Sequence, residues 1–427
     1  MSQSVLINVD ALEVGMFIQL EISWINHPFP MSSFRISSRK QIHVLRQIGL
    51  KSVRYVPGKS AVVRPAQDES ADSAGKASEH ATADVTDAGH RPSPLLTDTI
   101  SEFKATQQRC QRRFLEVTGV YVSVYSSVQA APQEARAQTD SLISVCVTDL
   151  LEQGPCAVHL LTGGSGQRSA VHAANVMVLA LLLGQSLGMQ ARELHGLGVA
   201  ALLHDLGKVG LPSHVGEPGA ALSDADMRRY RSHVGLSVEL AQSMGLASDV
   251  LIAIAQHHEL ADGSGFPLHL VTEDISRQGQ ILALVNRYDR LCNPLHGDAA
   301  LTPHEAVARL FALQRECFDP VVLAAFVRMM GVYPPGSVVQ LVDGRYAVVV
   351  IVDARHPLRP SVVPYQPAMQ RDEVPLLNLA HQAELGILRS LKPAQLPREV
   401  LDYLLPQPRV CYFFERAQDG LEPERRS

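Results

Sequence analysis

The sequence predicts a mainly α protein: a helical bundle, preceded by a small α+β domain and followed by a short β-hairpin extension. Three observations predict it. From Ser169 to Met330 nearly every stretch follows the helical repeat, and histidine and aspartate doublets close two of its apolar runs. Ahead of it, residues 5 to 56 alternate short β-type runs with one capped helical segment. Behind it, Asp343-Gly344 sits between two β-branched runs, a strong hairpin signal.

Taken in order, residues 1–57 form the small α+β domain. Val5 to Val9 and Val14 to Leu20 are predicted strands, Ser38 caps a helix from Arg39 to Gln47, and Val53 to Val56 is a last strand. Trp24, the sole tryptophan, reads as a core anchor. Residues 58–95 are Ala, Ser, Asp, Glu and Gly with almost no large apolar side chain, so they are expected to be a disordered linker. His80 and His90 within it carry no expectation. Residues 96–160 are predicted to form a helical connector, simplest as a hairpin. A coiled dimer contact, and with it a homodimer, is the weaker alternative because heptads do not persist. The bundle spans 161–331 and the β-hairpin extension 332–371. The tail, 372–427, has no assigned role.

Composition excludes several classes. A net charge of −5 offers no basic surface for a nucleic-acid polymer. The six cysteines are scattered without a CxxC pair, against a zinc ribbon or disulfide framework and in favour of a reducing cytoplasm. No basic segment followed by an apolar run opens the chain, so no signal peptide is expected. The longest apolar run, Val176 to Leu183, is well short of the roughly 20 residues that span a bilayer, so no membrane insertion is expected.

The chemistry-bearing residues lie in the bundle. His204-Asp205 ends the apolar run Val199 to Leu203, and His257-His258 ends Leu251 to Gln256. Such side chains are costly to bury unless partnered, and imidazole with carboxylate suits a divalent transition metal. Neighbours on a helix point about 100° apart, so each doublet serves a two-metal site more easily than a one-metal site. His172, His204-Asp205, His233 and His257-His258 recur at intervals of roughly thirty residues, the length of a helix, a loop and a returning helix. A bundle therefore brings them to one end. Alone, His172 or His233 would read as an ordinary core or surface histidine; the repeat at bundle spacing reverses that reading.

In these residues the chain resembles the HD-GYP family, a branch of the HD metal-dependent phosphohydrolases. The resemblance rests on His204-Asp205-Leu206-Gly207-Lys208, the Gly210-Leu211-Pro212 turn, Met227 to Gly235 with His233, and His257 to Pro267. The first 60 residues, notably Gly15-Met16 and Trp24 to Phe29, look like the small domain of unknown function often found ahead of such domains. The hairpin after Tyr333-Pro334-Pro335-Gly336 resembles an extension often seen behind them.

The resemblance implies an all-helical HD-type bundle and hydrolysis of cyclic di-GMP to linear pGpG, and onward to GMP in some members. It implies two divalent metal ions, iron or manganese foremost, that hold a bridging hydroxide for in-line attack. Its metal ligands would be His172, His204, Asp205, His233, His257, His258 and the residue at Asn286, with Asp205 bridging. Asp205 and Lys208 would be catalytic, Lys208 contacting the phosphate or protonating the leaving group. Asp262, Gly263, Gly265, Phe266 and Pro267 would line the substrate. Signalling proteins are the expected partners beside the dinucleotide. A weakly catalytic homologue that senses cyclic di-GMP or works through protein contacts is the alternative.

Six positions depart from the family's pattern. Phe266 replaces the usual tyrosine, keeping the ring without the hydroxyl. Asn286 stands where the family has its last ligand aspartate, and a neutral amide binds a divalent cation less well. Asp289, three residues on and on nearly the same helix face, is the alternative ligand; an equally weighted reading makes it a carboxylate on the helix surface or one supporting a ligand. Pro294, Leu295 and Asp298 replace basic residues that family members often carry. Arg168 occupies the place of a glutamate that holds a third metal in some members, which favours two metals.

Overall fold

The computed structural model describes residues 4–20, 33–36, 42, 45–46, 51–60, 94–161, 166–218, 221–294, 300–382, 384–405, 407 and 409–417. It divides into two units, Met1–Thr97 and Asp98–Ser427. The linker expectation for 58–95 falls largely outside the described residues, as do Trp24, Leu295 and Asp298.

The first unit is a four-stranded antiparallel sheet of β1 (Val5–Asn8), β2 (Phe17–Gln19), β3 (Ser33–Arg35) and β4 (Ser52–Tyr55), in the order β1-β4-β2-β3. Val53 and Tyr55 alternate inward on β4, as the period of two requires, and meet Ile18, Leu45, Met16 and Ile36 in one core. Of the predicted helix, Ile42, Leu45 and Arg46 are described, and all three are helical.

The second unit begins with the expected helical hairpin, α1 (Pro94–Ser127) and α2 (Pro132–Glu152). A long apolar helix, α3 (Arg168–Ser186), follows. It is long and apolar enough to cross a membrane, but 83% of that window is buried inside the unit. Around it lie α4 (Ala191–Leu203), α5 (Asp224–Arg231), α6 (His233–Ser243), α7 (Ser248–Gln256), α8 (Arg277–Cys292), α9 (Pro303–Leu313) and α10 (Pro320–Met330). Their starts are chemically marked. Ser276 accepts from Gly279 N, Thr302 with Glu305 forms a capping box, and Asp319 accepts from Val321 N and Val322 N.

The mainly α class holds, but the β part is larger than a hairpin. β6 (Val338–Leu341) and β7 (Tyr346–Asp353) pair as expected, with Gly344 of the connecting turn at φ 89°. They belong to a seven-stranded sheet with β5 (Cys156–Leu160), β8 (Ser361–Pro364), β9 (Leu377–Asn378), β10 (Ile387–Leu391) and β11 (Tyr412–Arg416). The tail thus supplies three strands and the helix α11 (Arg398–Leu404). β11 runs antiparallel to β5, Tyr412 opposite Leu160, and sets Tyr412, Phe413 and Phe414 into the bundle core. The Tyr412 hydroxyl meets that of Tyr288 on α8 at 2.8 Å, so neither phenol is buried unpaired.

Because β11 is core, Phe413→Ala is expected to cost about 3 kcal/mol or more in chemical denaturation. Leu388→Ala, at a position 46% exposed on β10, should change stability by less than about 0.5 kcal/mol.

Candidate metal centre

Each histidine of the site stands at or beside a helix terminus that opens on one place. His204 caps the C-terminus of α4, His233 opens α6, His257 caps α7, and His172 lies in the first turn and a half of α3. Asp205 follows His204 into a short 3₁₀ turn, Leu206–Gly210. The turn packs against α6 at Gly207, where a Cβ would lie 2.2 Å from His233 O and 2.4 Å from Ser237 N. Only glycine permits that approach, and Gly207 N–H also donates to Ser237 Oγ at 2.8 Å. The His204-Asp205 half of the site is thereby locked to the half carrying His233.

The hydrogen bonds assign the tautomers. A carbonyl can only accept, so His204 Nδ1–H donates to Ala201 O at 2.7 Å, His257 Nδ1–H to Ile254 O at 2.6 Å, and His233 Nδ1–H to Tyr230 O. His172 Nδ1–H donates to the Asp289 carboxylate at 2.6 Å. Every Nε2 is then a bare lone pair, and these lone pairs converge. His172 Nε2 lies 3.2 Å from His204 Nε2, and His233 Nε2 lies 3.3 Å from His257 Nε2. Lone pairs so placed repel unless a cation lies among them.

Asp205 divides its two oxygens between these pairs. Oδ2 lies 3.5 Å from His204 Nε2 and 3.6 Å from His172 Nε2; Oδ1 lies 3.2 Å from His233 Nε2 and 3.8 Å from His257 Nε2. Two donor groups result, His172-His204-Asp205 and Asp205-His233-His257-His258, and within each group the ligand atoms lie within 4.8 Å of one another. Among the described residues, Asp205 Oδ1, His258 Nε2 and Asn286 Oδ1 are buried polar atoms without a hydrogen-bond partner. Unpaired buried acceptors cost free energy that a metal ion recovers. The residues fit a metal.

Burial sets the protonation states that ligation needs. It pushes His172 down to about 4, with Arg290 adding to the effect, and lowers His233, His257 and His258 as well. For Asp205 burial alone would raise the pKa, but Lys208 and His204 outweigh it and hold the carboxyl well below its usual range. At neutral pH these imidazoles are neutral and the carboxylate is charged.

The remaining expected residues divide. Lys208 Nζ donates to Asp205 Oδ2 at 2.5 Å, inside the site. Asn286 is buried on α8, on the face that also carries Asp289 and Arg290. Asp289 has its oxygens engaged by His172, Asn175 Nδ2 at 2.8 Å and Asn293 Nδ2 at 2.9 Å, the arrangement of a carboxylate supporting a ligand histidine. Phe266 stacks on His258 with centroids 4.4 Å apart, and the Arg231 guanidinium lies 5.1 Å from its ring centroid. At Gly265 a Cβ would lie 2.3 Å from Leu260 N, so the loop folds back on itself only with glycine there. Gly263 adopts φ 75° in the same loop, and Pro267 follows Phe266 through a cis bond. Asp262 is exposed; Oδ1 accepts from Ser264 and Oδ2 from Cys317, so it braces the turn.

Four residues of the site have no sequence-based assignment. Arg290 Nη2 donates to Asp205 Oδ2 at 2.7 Å, beside Lys208. Glu259 is fully buried and accepts from Leu268 N and Leu270 N, fastening the Phe266 loop. Asn175 and Asn293 hold Asp289 from one side and the backbone of Val410, just ahead of β11, from the other. Asn175 had a signal: it is a polar residue in an apolar helix, three residues after His172. Arg290 had one too, one turn beyond Asn286.

Residues 161–322 match the HD domain family, and residues 4–139 match a domain of unknown function, DUF3391. The HD match spans the helical bundle that carries the histidine cluster. The DUF3391 match extends past the four-stranded unit through most of the α1–α2 hairpin. The chain is 27% identical over 399 residues to a cyclic di-GMP phosphodiesterase of Pseudomonas aeruginosa, covering 91% of this chain and 92% of the relative. A cyclic di-GMP phosphodiesterase response regulator of Xanthomonas campestris is 33% identical over 150 residues, 34% of this chain and 39% of the relative. A third, the cyclic di-GMP phosphodiesterase PdeB of Borreliella burgdorferi, is 24% identical over 192 residues, 45% of this chain and 51% of the relative.

Two outcomes are expected of this histidine cluster. Asp289→Asn should keep the fold and lower metal affinity about 10- to 100-fold in a metal titration, because His172 loses the carboxylate that orients it. In the chelator-treated protein, His172 takes up its proton only near pH 4 when folded but near 6.5 when unfolded, so stability is full above about 6.5 and falls as pH drops toward 4. Melting temperatures across that window check the sign.

Proposed function

We propose that this chain hydrolyses cyclic di-GMP to the linear dinucleotide pGpG, with GMP as a further product, at a centre of two divalent metal ions, iron or manganese. The observation that carries the reading is the division of Asp205 between two histidine groups. A carboxylate with one oxygen toward each group is suited to bridge two ions. His172, His204 and Asp205, completed by the Asn286 amide oxygen, would hold one ion; His233, His257, His258 and Asp205 would hold the other. When bound, such a pair supplies an activated water and Lewis acidity toward phosphorus.

The chain's own residues account for the rest. Lys208 and Arg290 both reach Asp205 Oδ2, and together they offer an ammonium and a planar guanidinium to a phosphodiester docked on the metals. Arg290 supplies the guanidinium that Pro294, Leu295 and Asp298 do not. Phe266, held against His258, gives a base a flat apolar face, while Gly263 and Gly265 keep the loop close to the metal ligands. The likeness to three phosphodiesterases acting on this dinucleotide supports the substrate, one of them along nearly the whole chain.

A sensor is the competing reading. It is favoured by the neutral Asn286 and by the two cations already paired with Asp205. Anaerobically purified protein incubated with cyclic di-GMP separates the two. The proposal expects linear dinucleotide or GMP by chromatography, abolished by a chelator and, with loss of bound metal, by His204→Ala or Asp205→Ala. Asn286→Asp should raise metal content and turnover together. Cyclic di-GMP bound but recovered intact by metal-loaded protein would make the chain a sensor.

A further inference from the structure

A well-formed cavity lies away from the metal centre. It has a volume of about 320 Å³ and opens between the N-terminus of α9, the α11 segment and the approach to β11. Arg371, Arg398 and Arg409 line it, with Asp402 as its acid. Arg398 pairs with Asp402 at 2.8 Å. Arg409 donates to Gly166 O, and among the described residues neither it nor Arg371 has an acidic partner. Arg371 Nε is buried without any hydrogen-bond partner. A buried guanidinium nitrogen without a partner is costly, and the cost is relieved by an acceptor such as an anion's oxygen. A smaller hollow of about 240 Å³ adjoins this one through Cys292, Ala300 and Arg409, and adds Arg168 and Asn293.

We propose that this cavity binds a small phosphomonoester with a compact apolar or aromatic body, of the size of a nucleoside monophosphate. The charge count selects the class. Arg371 and Arg409 leave two positive charges uncompensated, and a phosphomonoester near pH 7 carries about −1.5 to −2. A carboxylate would leave one guanidinium unmatched. The planar forks suit phosphate oxygens, and Leu301, Leu404 and Val410 offer apolar wall for the organic part. The site also bears on the metal centre. Val410 exchanges hydrogen bonds with the Asn293 side chain, which in turn holds Asp289 behind His172. Occupancy would stiffen the strand behind that ligand.

The test needs no turnover, so its failure is separate from failure of the phosphodiesterase reading. The full chain carrying His204→Ala is mixed with GMP and, separately, inorganic phosphate. Melting temperature and hydrogen exchange are followed with and without added Arg371→Met or Arg409→Gln. The proposal expects both probes to raise the melting temperature and slow exchange in residues 398–416, with either added substitution removing the effect. Arg371→Met without ligand should melt no lower than its parent, since it removes a buried nitrogen that has no partner. No shift with either probe, an undiminished shift in both added variants, or protection confined to the Phe266 loop would overturn it.

Discussion

Asp205 is the constraint on which the arrangement depends. One buried carboxylate faces two pairs of imidazole lone pairs, two residue types that cannot share a dry site without cations among them. Lys208 and Arg290 neutralise one of its oxygens from the protein side; the other meets only histidine. The backbone acceptors Ala201 O, Tyr230 O and Ile254 O each lie three residues before the histidine they hold, so three imidazole tautomers are set by local contacts, two from the histidine's own helix and one from the end of α5. The fourth, His172, stands near the start of α3 and depends on Asp289 instead. A tertiary contact replaces a local one there.

That difference explains why the C-terminal segment matters to the site. Asp289 is held by Asn175 and Asn293, and both amides also grip the backbone at Val410. β11 then runs into the core beside β5, and Tyr412 meets Tyr288, one residue from Asp289 on α8. The final strand is therefore part of the packing that fixes His172. On the opposite side, Gly207 and Gly265 bring backbones together at distances no side chain allows, one joining the Asp205 turn to α6 and the other folding the Phe266 loop onto His258.

Much of this was legible in the sequence because it is local. The His-Asp and His-His doublets at the ends of apolar runs, the Asp343-Gly344 turn and the helix caps each occupy a few neighbouring residues. The bundle end at which His172, His204, His233 and His257 meet followed from their spacing alone. The tail was not legible, because β11 pairs with a strand about 250 residues earlier and a short Tyr-Phe-Phe run announces no partner. Asp289 is open between readings in the sequence because its contacts with His172, Asn175 and Asn293 are partly tertiary. Arg290 was hidden for a similar reason: its role depends on the distance between α8 and the Asp205 turn, which no motif on either segment encodes. Asp262, grouped with the substrate loop by its position, also braces the turn through Ser264 and Cys317.

The most direct test of the account is anomalous X-ray diffraction from crystals of the full chain loaded anaerobically with iron or manganese, collected at the edge of the metal used. The account predicts two anomalous peaks separated by the Asp205 carboxylate, one bounded by His172, His204 and Asn286 and the other by His233, His257 and His258. A single peak held by one histidine group, or two peaks that leave Asp205 without a metal contact, would contradict it.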